Sequence, residues 1–569
     1  MDPSVKDRGK ILRTQIEIPN EALEEGPRGY RVHVIDYDST SNTLHQPAKI
    51  PVGANRDDDV PDDPFEGATD KALLSSAGFH AWMTYGIIMK TLSRFEFALG
   101  RRIGWAFEGH QIQVSPHAFA DANAFYSDRA QGLFFGNFPS MDGKRTVFTC
   151  LAHEVVAHET THALLDGLRE RYTDPSSPQQ AGFHEAFADI VALLSIFSAE
   201  SVVAKMVDLG MPNVTATTIR RSDMTPEKLR NSALLGLAQE MGSELSGIHG
   251  QALRRSATLP PRADYLASGE FQEAHMCGEV LVAAVLNAFL EVWIGRLKAI
   301  GDASRLDRKR AAQEGAEIAD RLLTMCIRAI DYCPPTDLQF CDFASALLTS
   351  DWELNPKDEK FDMRSSVLRW LREYGILPRS KGSPGRQEGS WDPPPHPEAF
   401  EYDRTHFDSM KSDRDELFRF LWENRKLFNL SDQAFTRVLS VRPCVRTGRD
   451  GFVLRETVVE YHQKLTVFAG ELSALRIQKP DQMPDDTEVT LFGGNAVIFD
   501  EYGHVKYNIG NAIIQSKHKP DRQGERLKYL WEHGAFSKGA SKMRALSRMH
   551  LMRRTQWYRS VETPKDGGE

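Results

Sequence analysis

The stretch His158-Glu159-Thr160-Thr161-His162, set in an apolar run with Val155, Val156, Ala163, Leu164 and Leu165, constrains this chain more than any other feature. On a helix, residues four apart lie about 40° apart around the axis and one turn up. Both imidazoles therefore point the same way and can hold one zinc ion. Glu159 stands beside the first of them, placed to exchange a proton with water at the site. Alone, such a pair is a weak signal. It gains weight from Gly182-Phe183-His184-Glu185-Ala186-Phe187-Ala188-Asp189, which offers a carboxylate ligand, Glu185, and a second carboxylate, Asp189, one turn later. Tyr172–Gln180, rich in Asp, Pro and Ser, separates the two segments. The pattern thus predicts helix, turn, helix, with three protein ligands and an open fourth position, as in a catalytic rather than a closed zinc site. A buried helix carrying two histidines and two acids with no metal would be costly, because buried charges need partners. His153-Glu154 cannot repeat the pair, since its fourth neighbour is Ala157. His184 projects elsewhere on its helix and is expected at the surface or behind the ligands.

At 569 residues the chain is long enough for two or more domains. A formal net charge of −9 argues against a nucleic-acid binder. The cysteines are scattered without a C-x-x-C pair, which points to reduced thiols rather than a disulfide framework. The N-terminus has no apolar core of the kind a secretory signal needs. The longest apolar run, Val280–Ile294, contains Asn287 and Glu291 and is shorter than a bilayer span. These features predict a soluble cytoplasmic protein, with export by a route other than Sec left open.

Along the chain, Tyr30–Asp36, Gln111–Val114 and Gly132–Phe135 read as strands, and Ala77–Ala98 as a helix. The acidic, proline-rich stretch Ile50–Gly67 reads as a loop, with a cation site as the alternative to a solvated turn. From Thr146 to Thr349 the periodicity is mostly helical: Phe148–Arg171, Gly182–Ala199, Pro226–Met241, Ala274–Lys298, Lys309–Ala329 and Phe340–Leu348, with Met363–Tyr374 beyond. Pro378–Pro397, with Ser383-Pro384-Gly385 and Pro393-Pro394-Pro395, reads as a flexible linker. The predicted organisation is α+β: a catalytic domain over 1–377 with its core at 77–377, a linker at 378–397, and an α+β accessory domain at 398–569. In the latter, Asp413–Phe428 reads as helical, Thr457–Phe468 and Glu488–Phe492 as strands, and Asn495–Tyr507 as a hairpin. The tail Phe536–Arg559 reads as a basic amphipathic helix, packed or solvated, with a partner or anionic surface as the alternative.

The chain resembles the thermolysin-like metallopeptidases, the gluzincins with H-E-x-x-H and a downstream Glu. The resemblance runs through His158–Asp189 and continues in the family's order. Asn123-Ala124-Phe125-Tyr126 resembles the edge strand that takes a substrate backbone by strand addition. Gly250-Gln251-Ala252-Leu253-Arg254 resembles the segment whose Arg holds a substrate carbonyl. Ala274-His275-Met276-Cys277-Gly278 resembles the segment whose His stabilises the oxyanion. Thr336–Leu348 and Met363–Leu377 resemble the closing helices.

The resemblance implies that His158, His162 and Glu185 bind zinc and that Glu159 is general base and then proton shuttle. It implies that Asp189 hydrogen-bonds His158. His275 becomes an oxyanion donor oriented by Glu270 or Glu273, and Tyr172, one residue off the usual spacing, the second donor. Asn123, Ala124 and Arg254 contact the substrate backbone, and Val155 and Leu253 line an apolar pocket for the residue after the scissile bond. The implied activity is a zinc endopeptidase cleaving peptides or proteins before large apolar residues. Its rivals are a non-catalytic zinc-stabilised scaffold, in which Glu159, His275 and Arg254 would be superfluous, and an exopeptidase, for which the chain lacks a G-x-M-E-N stretch. The departures are the signal peptide and propeptide, which the N-terminal sequence does not lead one to expect, the short β-region before Ala77, and the segment after Pro397. Glu154 stands where the family places a calcium-binding acid, but the partner position is Ile196, so a double calcium site is not implied.

Overall fold

The structure is a computed structural model that describes residues 6–7, 10–11, 13–49, 65, 67–140, 143–174, 176–209, 217–229, 255–300, 304–358, 360–448, 450–514 and 521–536. The fold is α+β: a mixed sheet, a block of long helices, and a second, antiparallel sheet. Most of Ile50–Gly67, most of Pro226–Met241, the segment carrying Leu253 and Arg254, and the tail Phe536–Arg559 beyond Phe536 lie outside the described residues.

The first sheet is built from β1 (Val32–Val34), β2 (Ile112–Ala120), β3 (Ala124–Ser127), β4 (Gly132–Pro139) and β5 (Thr146–Phe148). Its order is β1-β2-β4-β3, with β5 also on β4. β1 and β2 run parallel to their neighbours, and β3 and β5 pair antiparallel with β4. β2 is longer than the Gln111–Val114 strand expected from sequence. Residues 114–119 are all buried, which removes the alternation that marks a half-exposed strand. β3 is an edge strand, as the resemblance implies, and lies beside the histidine-bearing helix.

The helices match the periodic segments closely. They are α1 (Ala77–Leu99), α2 (His153–Leu168), α3 (Pro178–Phe197), α4 (Ala274–Ala299), α5 (Arg308–Ala329), α6 (Phe340–Leu354) and α7 (Met363–Glu373). Caps set the starts. Ser76 accepts from Phe79 N, Ser177 from Gln180 N with Pro178 at the first helical position, and Glu273 from His275 N and Met276 N. α3 and α4 cross where two glycines meet. A Cβ on Gly278 would lie 2.8 Å from the Gly182 carbonyl oxygen, and one on Gly182 would lie 2.8 Å from the Ala274 carbonyl oxygen. Only hydrogen fits at these positions, and the close crossing sets His275 against Glu185. α4 extends beyond the Val280–Ile294 run at both ends. It is long and apolar enough to cross a membrane, but 83% of its apolar window is buried inside the protein. Asn287 donates there to Ala283 O and to Tyr374 Oη.

The chain after Pro397 contributes α8 (Arg414–Glu423), the strands β6 (Phe435–Thr447), β7 (Val453–Phe468), β8 (Glu488–Phe499) and β9 (Val505–Asn511) as an antiparallel meander, and α9 (Arg522–Glu532). Strand side chains alternate between faces, and this sheet uses both. Val459, Tyr461, Val497 and Phe499 pack against Leu417, Phe420 and Leu421 of α8. Val458, Ile498, Tyr507 and Ile509 enter the large core shared with the helices.

This corrects the expectation of a free-standing accessory domain. Ion pairs cross the same contact. Arg446 reaches Asp331 at 2.5 Å, Arg169 reaches Glu460 at 2.6 Å, and Lys506 reaches Glu353 at 2.6 Å. Burial alone would raise Asp331, but Arg101, Arg446 and Arg169 hold its carboxyl well below the usual range. Gly100, which ends α1 at φ 67°, accepts the Val445 N–H, and a Cβ there would meet the Val445 carbonyl oxygen at 2.3 Å. Nor is Pro378–Pro397 a loose tether. Arg379 pairs with Asp342 at 2.8 Å and Arg386 with Glu353 at 2.6 Å. Trp391 donates its indole N–H to Tyr332 O at 2.9 Å.

Candidate metal centre

α2 is buried almost along its whole length, and the apolar residues flanking the histidines sink it between the first sheet and α3. Its i, i+4 histidines converge as helix geometry requires. His158 Nε2 and His162 Nε2 lie 2.9 Å apart, with the two rings nearly perpendicular at 86°. From α3, Glu185 Oε2 comes within 3.7 Å of His158 Nε2 and 4.0 Å of His162 Nε2. All three side chains are buried, with their ligand atoms within 4.8 Å of one another.

The groups behind the ligands fix their tautomers. Asp189 Oδ1 sits 2.8 Å from His158 Nδ1. A carboxylate only accepts, so Nδ1 carries a hydrogen and Nε2 faces His162. Burial works to lower the His158 ring, but the Asp189 and Glu185 carboxylates hold it at about 10. Two imidazole nitrogens and a carboxylate, aimed at one point in a buried setting, could hold a metal ion. His184 is fully buried rather than at the surface. Its Nδ1 lies 2.7 Å from His162 Nδ1 and the rings stack at 4.8 Å, so it orients the second ligand from behind.

Glu159 is completely buried beside the ligands, and its Oε2 accepts the Tyr126 N–H of β3 at 2.9 Å. Tyr126 in turn donates its hydroxyl to Asp166 on α2 at 2.9 Å. The edge strand is thus tied to the helix at the acid itself. Asn123 is buried at the entry to β3. Its Oδ1 accepts from Ala124 N and its carbonyl from Gly136 N, so both residues shape the turn into the edge strand.

His275, in the first turn of α4, holds Glu273 Oε1 at 2.6 Å from Nδ1 and turns Nε2 to within 3.5 Å of Glu185 Oε2. That Nε2 is buried and makes no hydrogen bond among the described residues. Burial would raise Glu273, but its contacts with His275 and two backbone N–H groups lower it. Glu273 Oε1 accepts from Nδ1, which fixes the ring with Nε2 facing the centre. Of the two expected partners of His275, it is Glu273 that makes the contact.

Tyr172 is not at the centre in the role expected of it. Its side chain is buried, its hydroxyl donates to Pro334 O at 2.7 Å, and its ring packs edge-on to Phe183. It braces the turn between α2 and α3 from within the core. Its one-residue offset in sequence was the signal. Val155, one turn before His158, is 2% exposed in the shared core. Leu253 and Arg254 lie outside the described residues.

Sequence reasoning missed Tyr126 and Asp166. Their involvement comes from a strand and a helix brought together by the fold, and no local spacing marks it. A comparison with protein-family models finds none that matches this chain, and a search of curated proteins likewise finds no match.

Proposed function

We propose that the chain is a zinc-dependent endopeptidase of the thermolysin-like, gluzincin kind. The observation that carries this reading is the convergence of His158, His162 and Glu185 with Glu159 buried alongside and His275 Nε2 aimed at the same point. A structural zinc site needs neither of the last two. His158, His162 and Glu185 would hold the ion, with Asp189 and His184 behind them. Bound zinc supplies Lewis acidity toward the scissile carbonyl and makes water a better nucleophile near neutral pH.

The chain's own residues do the rest. Glu159 takes the proton from the attacking water and returns it to the leaving amine. Its carboxylate is positioned by the Tyr126 N–H. His275, oriented by Glu273, donates from Nε2 to the oxyanion, a contribution of about 2.7–4 kcal/mol for one such donor. β3 is an edge strand next to this point, so a peptide can extend the sheet there. Arg254 is proposed to hold a substrate carbonyl, and Val155 with Leu253 to favour large apolar residues after the scissile bond.

The test is digestion of a peptide library by the full chain, with a chelator and then with zinc restored. Cleavage before Leu, Phe, Ile or Val that stops with the chelator and returns with zinc is the expected result. Cleavage indifferent to chelator would refute the reading.

A further inference from the structure

A second cluster of metal-ligating side chains lies away from the centre just described, where three elements meet. His80 stands in the first turn of α1, His117 in the middle of β2, and Cys150 in the short turn Thr149–Leu151 that leads into α2. All three are buried, and their ligand atoms lie within 4.8 Å of one another. Phe148 walls the cluster, its ring 4.7 Å from that of His80 and 5.2 Å from that of His117.

The hydrogen count at the two rings is the informative part. His117 Nδ1 lies 2.8 Å from Asp36 Oδ2. The carboxylate accepts, so a neutral His117 carries its hydrogen on Nδ1 and a lone pair on Nε2. His80 Nε2 lies 3.1 Å from the Leu74 carbonyl oxygen, again an acceptor only. A neutral His80 therefore carries its hydrogen on Nε2 and a lone pair on Nδ1. Yet His80 Nδ1 and His117 Nε2 face each other at 2.8 Å. Two lone pairs at that distance repel unless a cation or an extra proton lies between them. Burial holds the His80 ring down, to about 4, so it presents its Nδ1 lone pair to His117. Each of the two rings here has its other nitrogen fixed, His117 by the Asp36 carboxylate and His80 by the Leu74 carbonyl, in the manner of metal ligands. Asp36 adds negative charge behind the cluster, and its Oδ1 is buried with no hydrogen-bond partner among the described residues.

We propose that His80, His117 and Cys150 form a second metal site, for a thiophilic divalent cation such as zinc. The ligand atoms are His80 Nδ1, His117 Nε2 and the Cys150 thiolate, with Asp36 fixing His117. Two imidazoles and a thiolate select this class of metal over calcium or magnesium. On binding, the Cys150 thiol gives its proton to solvent. The role is structural. The ion ties the start of α1 and the middle of β2 to the turn that leads into α2, and so fixes the entry to the helix that carries His158.

The test is cobalt loading of the full chain under reducing conditions, read by metal content and near-ultraviolet absorption. Wild type should hold two cobalt ions per chain and show a thiolate-to-cobalt charge-transfer band. His162→Ala should lose one ion and keep the band. Cys150→Ser should lose one ion together with the band. Should Cys150→Ser fail to fold, alkylation mapping on wild type decides instead, with Cys150 expected to be protected only when cobalt is bound. Absence of the band in wild type would overturn the proposal in favour of a buried hydrogen-bond relay. A band that survives Cys150→Ser, or alkylation of Cys150 indifferent to cobalt, would overturn the ligand assignment. The His162→Ala arm separates failure here from failure of the peptidase reading.

Discussion

At the scale of single residues, His275 and Tyr172 make a contrasting pair. Both are assigned to oxyanion stabilisation by the family resemblance, but only His275 turns a ring nitrogen toward the centre. His275→Ala should lower kcat by about 10²–10³ with KM nearly unchanged, since the donor acts mainly in the transition state. Tyr172→Phe should leave kcat alone and cost about 1 kcal/mol of stability for the lost bond to Pro334 O. Parallel kinetics and thermal unfolding check both. Equal losses of kcat would return Tyr172 to the centre. The convergence was legible because helical spacing places it: His158 and His162 lie one turn apart on α2, and Glu185 and Asp189 one turn apart on α3. Tyr126 was not, and for His184 the surface and a place behind the ligands were both open, because these roles depend on which neighbour a helix meets.

At the scale of elements, the helices were legible from their apolar periodicity, but ends such as Pro178 and Leu354 fall several residues from the expected ones, because periodicity alone does not register a cap such as Ser177. β6 was harder to place, since Pro443 and interleaved arginines interrupt its pattern. The fold accommodates Pro443 because β6 is the edge of its sheet. The α3–α4 crossing is the element contact on which the centre depends. Gly278→Val would push a side chain against the Gly182 carbonyl and separate His275 from Glu185. We expect a loss of about 1–3 kcal/mol of stability. Hydrolysis should fall further than the loss of folded protein explains, while zinc content holds, because His158, His162 and Glu185 sit on the other side of the crossing. Calorimetry with metal analysis and kinetics on the same sample tests this, and unchanged kcat in the folded fraction would contradict it.

For the whole molecule, the sequence marked Pro378–Pro397 by composition alone, and composition cannot tell a tether from a segment pinned to a surface. The decisive signal was period two in β7 and β8: Val458 and Val459, like Ile498 and Val497, bury on opposite faces. A sheet buried on both sides has to be covered on both. Truncation to Met1–Leu377 would expose one of those covers and leave Asp331 without Arg446, and Arg169 without Glu460. Each broken buried pair costs about 3–5 kcal/mol, so the truncated chain should be insoluble or unfolded by circular dichroism, and a stable, active fragment would refute the shared core. The claim that the centre is catalytic is tested most directly by Glu159→Gln, measured for zinc content and peptide hydrolysis on one preparation. The account predicts zinc retained at the wild-type level and hydrolysis abolished. Full hydrolysis by this variant would contradict the proposed mechanism, and loss of zinc would contradict the ligand set.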